Sequence, residues 1–413
     1  MLPPLELSTE TLPLPHEHVA VEPDPDGSPL PSEAAGRVSI DVIHDGWAIP
    51  EAYLVDAGGV RIREANLQEA FVRERDWGAS LVAGCLASAL HMSGFFRVTT
   101  ARALLDFGRF PGSTPRGAEF LLRHAINYPF SQHLGFEAKW RLLEEHYDKI
   151  SVGMDEVISG RTLKIGVHTY DEHNPNQSRR PAVSLLTRSL GHHRNLEVPL
   201  GVFDPLFPEE LVEFTADRIL RARISLGLEE AAIHTEANYP YALPEGSVEV
   251  RSQVWFFFQY LRRRMEDELE IEGRADPRSP WNLVWAMLMD TNLRSSESEL
   301  LRSYLHMYRR PPNGLESVFR RARAEYERVR AFARADGGAV VKAYRTSVER
   351  TSSLGLEVRK DIVWRFEDGR PVGPKWDEAR TIARVIARAI STYFERDLHQ
   401  KQWALAAQDP RFQ

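Results

Sequence analysis

The chain has 413 residues, 43% of them hydrophobic and 10% aromatic, which is enough to bury a sizeable core as one elaborated domain or two smaller ones. A formal charge of -7 gives no general attraction to phosphate backbones or anionic lipid, so nucleic acid and membrane surfaces are poor partners and a small or neutral ligand fits better. The single cysteine, Cys85, excludes an intramolecular disulfide framework and reads, within SLVAGCLASAL, as a small buried hydrophobe.

Residues 1–36 are rich in proline and acidic side chains, a composition that predicts an extended, poorly packed leader in which His16 and His18 are solvated. They show neither the basic nor the apolar region of a secretory signal. No later run reaches the ~18 apolar residues of a membrane span, so a cytoplasmic protein is expected. From Val38, VSIDVIH predicts a buried strand ending in the turn Asp45-Gly46. Helical periodicity runs through 65–92, RALLDF at 102–107 predicts the next strand, and a helical stretch covers 117–150.

TLKIGVHTYD at 162–171 predicts a strand with a polar end, and VSLLTRSLG and LEVPLGVF predict short core elements at 183–191 and 196–203. An amphipathic helix is expected over 208–227, from Pro208 to Gly227. Strands alternating with helices imply an α/β sheet, with sites at the carboxyl ends of its strands. Residues 250–345 are helical in character throughout. LGLEVRKDIVWRF at 354–366 returns to strand, and an amphipathic helix over 375–398 closes the chain. The expected organisation is thus a leader at 1–36, an α/β domain formed by 37–249 with 346–413, and a helical insertion at 250–345.

His44 and His168 both fall where an apolar strand meets a turn, a place from which a side chain projects into a cleft. A hydrolytic zinc site commonly takes two neutral imidazoles and one carboxylate and leaves a position for water. Singly, each histidine reads more simply as structural. Asp76, ahead of the helix carrying Leu81, Val82, Leu86 and Leu90, reads most simply as a helix cap, though a helix-start carboxylate can also face a metal. Glu357 interrupts an apolar strand, and a buried carboxylate there needs a cation or a function; Arg109 and Arg359 are available cations. The tripeptide EVR occurs at 249–251 and again at 357–359, too short a match to be a repeat.

In chain order these segments resemble the N-formylglutamate amidohydrolase family, relatives of the zinc carboxypeptidases that remove an N-acyl group from an amino acid. VIHDGWAIPEAYL resembles the first metal segment, which implies His44 as a ligand. RDWGASLVAGCLASAL resembles the Asp-x-Gly-Ala helix, implying Asp76 as the carboxylate ligand, and ARALLDFGRFPG implies Arg109 at the substrate carboxylate with Asp106 supporting it. KIGVHTYDEHNPNQSRRPAVSLL resembles the His-Ser/Thr strand and Arg-Pro turn, which implies His168 as third ligand, with Thr169 and Arg180 at the substrate. EANYPYAL places Asn238 and Tyr241 at the pocket wall, and LGLEVRKDIV implies Glu357 as general base with Arg359 as a substrate contact. Under this resemblance either Glu249 or Glu357 is the counterpart of the late acidic strand, with Glu357 preferred.

The likeness spans 38–248 and 346–395. It departs at Gly108, where relatives usually carry Asn, at Asp45-Gly46-Trp47, and in the long helical stretch before Glu357. It implies a mixed central sheet flanked by helices, phosphorylase/hydrolase-like and zinc carboxypeptidase-like. It also implies one divalent ion, with zinc the expected species, and hydrolysis of an N-formyl or N-acyl amide of an amino-acid-like substrate bearing a carboxylate. A carboxypeptidase-like peptide hydrolase and a non-catalytic scaffold on the same fold are the rival expectations. The helical insertion is the expected surface for any homo-oligomer.

Overall fold

A computed structural model describes residues 14–56, 58–111, 125–189, 203–208, 211–244, 246–306 and 309–398. Seven strands form one mixed sheet: β1 (His16–Ala20), β2 (Val38–Val42), β3 (Gly94–Val98), β4 (Leu163–Tyr170), β5 (Val183–Leu186), β6 (Thr235–Ala237) and β7 (Ser352–Arg359). Their order is β1-β3-β2-β4-β7-β5-β6. The inner strands β3, β2, β4 and β7 run parallel, whereas β1 pairs antiparallel with β3 and β5 pairs antiparallel with β7. The architecture is α/β with a mixed central sheet flanked by helices, as the sequence predicts.

Strand alternation gives this sheet two unlike faces. Val38, Ile40, Val42, Leu163, Ile165, Val167, Leu354, Leu356 and Val358 point into one apolar core. Three helices cover it: α2 (Ala79–Ala89), α5 (Arg218–Glu230) and α10 (Trp376–Thr392). Helix α10 turns Ile382, Ile386 and Ile390 inward at four-residue spacing, which is why its period is so plain in sequence. The opposite face carries Ser39, Asp41, Lys164, Gly166, His168, Ser353, Gly355 and Glu357, every one buried. It is a polar column inside the protein.

Lys164 is 0% exposed and pairs with Asp41 at 2.9 Å and with Glu249 at 3.0 Å. Burial alone would discharge the amine, but the two carboxylates raise its pKa above the ordinary lysine value. Taking one partner from a buried ion pair costs about 3–5 kcal/mol. Lys164→Met is therefore expected to lower the unfolding free energy by about 3–5 kcal/mol in a denaturant titration. An unchanged transition would show that the two carboxylates do not depend on the amine.

Between β6 and β7 the chain is helical: α6 (Val248–Glu268), α7 (Pro280–Met289), α8 (Ser296–His306) and α9 (Glu316–Thr346), the last broken at Ala335–Gly338. They enclose a separate aromatic core of Phe257, Phe258, Trp281, Trp285, Phe319 and Tyr344. Ahead of β4 lie α1 (Glu64–Glu74), α3 (Phe136–Leu142) and α4 (Asp148–Ile158). After β7, a helical turn over Lys360–Val363 leads into the hairpin of β8 (Trp364–Glu367) and β9 (Arg370–Pro374).

Four local expectations are corrected. His16–Ala20, assigned to a loose leader, is an edge strand, and His16 stacks on Phe96 at 5.0 Å instead of lying in solvent. RALLDF is a turn whose Ala103, Leu104 and Leu105 are buried, while the third strand is the preceding Gly94–Val98. The α-helix expected over 208–227 begins only at Arg218, because the Asp217 carboxylate accepts the Ile219 N–H and caps it there; Leu211 and Val212 are buried ahead of it, outside the α-helix. The 354–366 stretch is not one strand but two, separated by the turn at Lys360–Val363. LEVPLGVF falls, apart from Phe203, outside the described residues, as do residues 117–124 of the stretch expected to be helical.

Candidate metal centre

His44 follows β2 at the carboxyl end of the strand. The next loop lies so close to the Thr99-Thr100 backbone that a Cβ on Gly46 would sit 2.2 Å from the Thr100 carbonyl oxygen, so only glycine admits this approach. Trp47 and Ala48 then donate to the Thr99 carbonyl, each at 2.9 Å, which fixes the turn. The His44 Nε2 atom lies 2.7 Å from Asp106 Oδ1.

Asp106 also receives the Gly108 N–H at 2.9 Å, Arg102 at 3.2 Å and Arg109 at 3.0 Å. Burial opposes its ionisation, yet His44, Arg102 and Arg109 together hold its pKa well below the ordinary aspartate value. A carboxylate so supplied with donors only accepts, and the proton between it and the imidazole belongs to His44 Nε2. Gly108 is explained by the same contact. A Cβ there would lie 3.0 Å from both Asp106 Oδ1 and His44 Nε2, so an Asn at this position would press on the pair.

Asp76 is not the cap of α2. The cap residue is Gly78, and the carboxylate of Asp45 serves the helix end, accepting the Ser80 N–H at 2.9 Å while pairing with Arg75 at 2.6 Å. Asp76 is left to face inward. Its Oδ1 takes Arg102 at 3.0 Å, and its Oδ2 lies 3.2 Å from His168 Nδ1 and 3.5 Å from His44 Nδ1. Burial resists its charge, but Arg102 and the two imidazoles pull its pKa below the usual range.

His168 sits on the polar face of β4 directly opposite Glu357 of β7. Burial would lower its pKa, but the Asp76 hydrogen bond and the charges of Glu357 and Asp76 raise it to about 9. Burial pushes the Glu357 carboxyl above the ordinary glutamate range, with His168 pulling against it and Asp76 adding to it. The Tyr241 hydroxyl donates to Glu357 Oε1. Glu249, the alternative acid, is in α6 and bound to Lys164, which outweighs burial and holds its pKa at about 2.

Three ligand atoms, from His44, Asp76 and His168, therefore lie within 4.8 Å of one another in a buried spot. Around a tetrahedral ion with bonds of about 2.0–2.1 Å, donor atoms stand about 3.3–3.4 Å apart. The 3.2 and 3.5 Å separations from Asp76 Oδ2 match that edge length. His44 Nδ1 faces a carboxylate oxygen of Asp76 at 3.5 Å, a contact that a proton or a cation between the two atoms satisfies.

Other residues from the sequence reading fall elsewhere. Arg109 stays close, bound to Asp106 and to Asn127 Oδ1 at 2.9 Å, with 30% of its side chain exposed. Arg359 is held by Asp361 at 2.8 Å and, with Arg180, lines a cleft of about 580 Å³ between the chain before β6 and the first turns of α10 that none of the three donors borders. Thr169 donates to the Trp77 carbonyl at 3.1 Å, tying β4 to the chain before α2. Asn238 uses its side-chain oxygen on the backbone N–H groups of Thr187 and Arg188, at 2.8 and 2.9 Å, and so shapes the loop that presents Tyr241. Sequence reasoning missed Arg102, which bridges Asp76 and Asp106; an arginine inside an apolar run was the available signal. Asp106→Asn is expected to lower metal affinity by about 10–100-fold, since such outer partners hold the imidazole tautomer. Calorimetric zinc titration reads it, and an affinity equal to the parent's would refute the role.

No protein-family model matches the chain, and no curated protein matches its sequence. Among solved structures, it is similar to an N-formylglutamate amidohydrolase from Ralstonia eutropha JMP134, at 11% identity and a TM-score of 0.48 over 93% of this chain and 99% of that one. It is also similar to a gene product of Agrobacterium tumefaciens, at 14% identity and a TM-score of 0.43 over 89% of this chain and 96% of the other. No helix among the described residues is long and apolar enough to cross a membrane.

Proposed function

We propose that the chain is a metal-dependent hydrolase of amide bonds, N-formylglutamate amidohydrolase-like in acting on an N-formyl or N-acyl amide of an amino-acid-like substrate with a carboxylate. The observation that carries this reading is the buried meeting of His44, Asp76 and His168 beside Glu357, with Asp76 Oδ2 within 3.2 and 3.5 Å of the two imidazoles. These three side chains would hold one divalent ion, with zinc the expected species. When bound, such an ion supplies Lewis acidity toward a carbonyl oxygen and lowers the pKa of water to near ~7.

The remaining chemistry belongs to the side chains. Asp106 keeps the His44 proton on Nε2 and so keeps Nδ1 free as a donor atom. Arg102 holds the Asp76 carboxylate from its far oxygen, leaving Oδ2 for the centre. Glu357, whose raised pKa brings it nearer neutrality, takes a proton from the attacking water and returns it to the leaving nitrogen. Tyr241 donates to Glu357 and holds the carboxyl toward His168. Arg109, the more exposed of the two arginines on Asp106, would receive the substrate carboxylate.

A hydrolysis assay on N-formyl and N-acetyl amino acids, with dipeptides alongside, tests this. Activity abolished by a chelator and restored by zinc is the expected result, and the preferred acyl group identifies the substrate. Hydrolysis that persists undiminished in chelator, or turnover of none of these amides by the zinc-supplied protein, would overturn the reading.

A further inference from the structure

The EVR tripeptide at 249–251, which the proposed chemistry leaves unused, lies in the first turn of α6. Both of its charged side chains are buried, Glu249 at 2% and Arg251 at 3% exposed. Glu249 reaches the polar face of the sheet between β2 and β4, where it pairs with Lys164. Gly166 admits it, since a Cβ there would lie 2.3 Å from Glu249 Oε1. Lys164, Gly166 and His168 alternate along that one face, so the helix is bolted to β4 within two strand steps of a donor.

Arg251 grips the other half of the cluster. Its guanidinium donates to the Phe107 carbonyl, to Asn292 Oδ1 and, at 2.7 Å, to the Tyr147 hydroxyl. That hydroxyl donates in turn to the Arg109 carbonyl at 2.9 Å. The two carbonyls flank Gly108, so Arg251 fixes, directly and through Tyr147, the segment that carries Asp106, and Asp106 holds His44. A buried ion pair such as Glu249–Lys164, like a buried guanidinium, is costly, and apolar residues of equal volume commonly stabilise a fold as well or better. Fixing orientation is what these charges achieve that apolar packing would not.

We infer that Glu249 and Arg251 are positioning residues: the first turn of α6 aligns His168 through β4 and His44 through Asp106, coupling the helical region to the donor cluster. The consequence for metal binding rests on the reading above; the alignment itself does not. Full-length protein is tested first without metal, by long-range proton–nitrogen NMR of the imidazoles, with His44→Gln and His168→Gln assigning the two signals and exposed His234 as reference. Arg251→Met is expected to shift or broaden the His44 signals and Glu249→Gln those of His168, with His234 unmoved. Zinc titration should then show a loss of affinity on the order of tenfold in each variant.

Should Arg251→Met fail to fold, Arg251→Lys, which keeps the charge but loses the fork of donors, is read in the same way. Imidazole signals at their parental positions in both variants, whatever happens to the melting temperature, overturn the inference. So does an unchanged zinc affinity when the parent binds zinc. A parent that takes up no zinc while the imidazole shifts occur sinks the metal reading and upholds the positioning role.

Discussion

Replacing Glu357 by Gln is expected to cut kcat by about 10²–10⁴-fold, the range for removing a general base, while zinc stays bound. The substitution keeps the shape of the side chain and its contact with Tyr241, so the loss isolates proton transfer from packing. Glu357 is not among the three gathered donors; it lies across the β4–β7 pairing from His168. The pH profile carries the same information. Burial raises the Glu357 pKa, and a base must be ionised to work, so kcat/KM of the parent falls as pH drops through that raised value. In Glu357→Gln this acid limb should vanish. A variant with parental kcat, or with the acid limb intact, would assign the proton to another group.

His168→Ala is expected to abolish activity by removing the ion, the opposite partition of effects. Two donors then remain, from His44 and Asp76, fewer than the three a catalytic zinc site commonly takes. Zinc affinity should fall by more than about 100-fold, beyond the range for outer partners such as Asp106. Added imidazole should restore part of the binding by filling the space left by the ring. Full activity in His168→Ala, or unchanged affinity, would remove the centre as described.

Much of the apolar framework was legible because periodicity records which face is buried. β2, β4 and β7 read clearly, since Val38, Ile40 and Val42, or Leu354, Leu356 and Val358, alternate with polar residues on the column face. β3 did not, for GFFRV is short and carries Arg97, whereas the neighbouring ARALLDF is more continuously apolar yet buries its alanines and leucines from a turn. β1 was hidden by the composition of its surroundings. An edge strand pairs on one side only, so HEHVA needs no apolar run to join the sheet.

In the centre, strand ends pointed to His44 and His168 individually, but their meeting depends on β2 and β4 being neighbours, which no local pattern encodes. Asp76 looked like a helix cap because the true supplier of that cap, Asp45, lies on another segment. Arg359 illustrates the converse. Two residues along the strand from Glu357 placed it on the same face by parity, yet the turn at Lys360–Val363 begins there and Asp361 draws the guanidinium aside.

Elemental analysis of the purified chain after exposure to zinc and exhaustive dialysis bears most directly on the centre formed by His44, Asp76 and His168. One ion retained per parent chain, and none in Asp76→Ala, is the expected result. A parent that retains no ion, or an Asp76→Ala variant that retains as much, would contradict it.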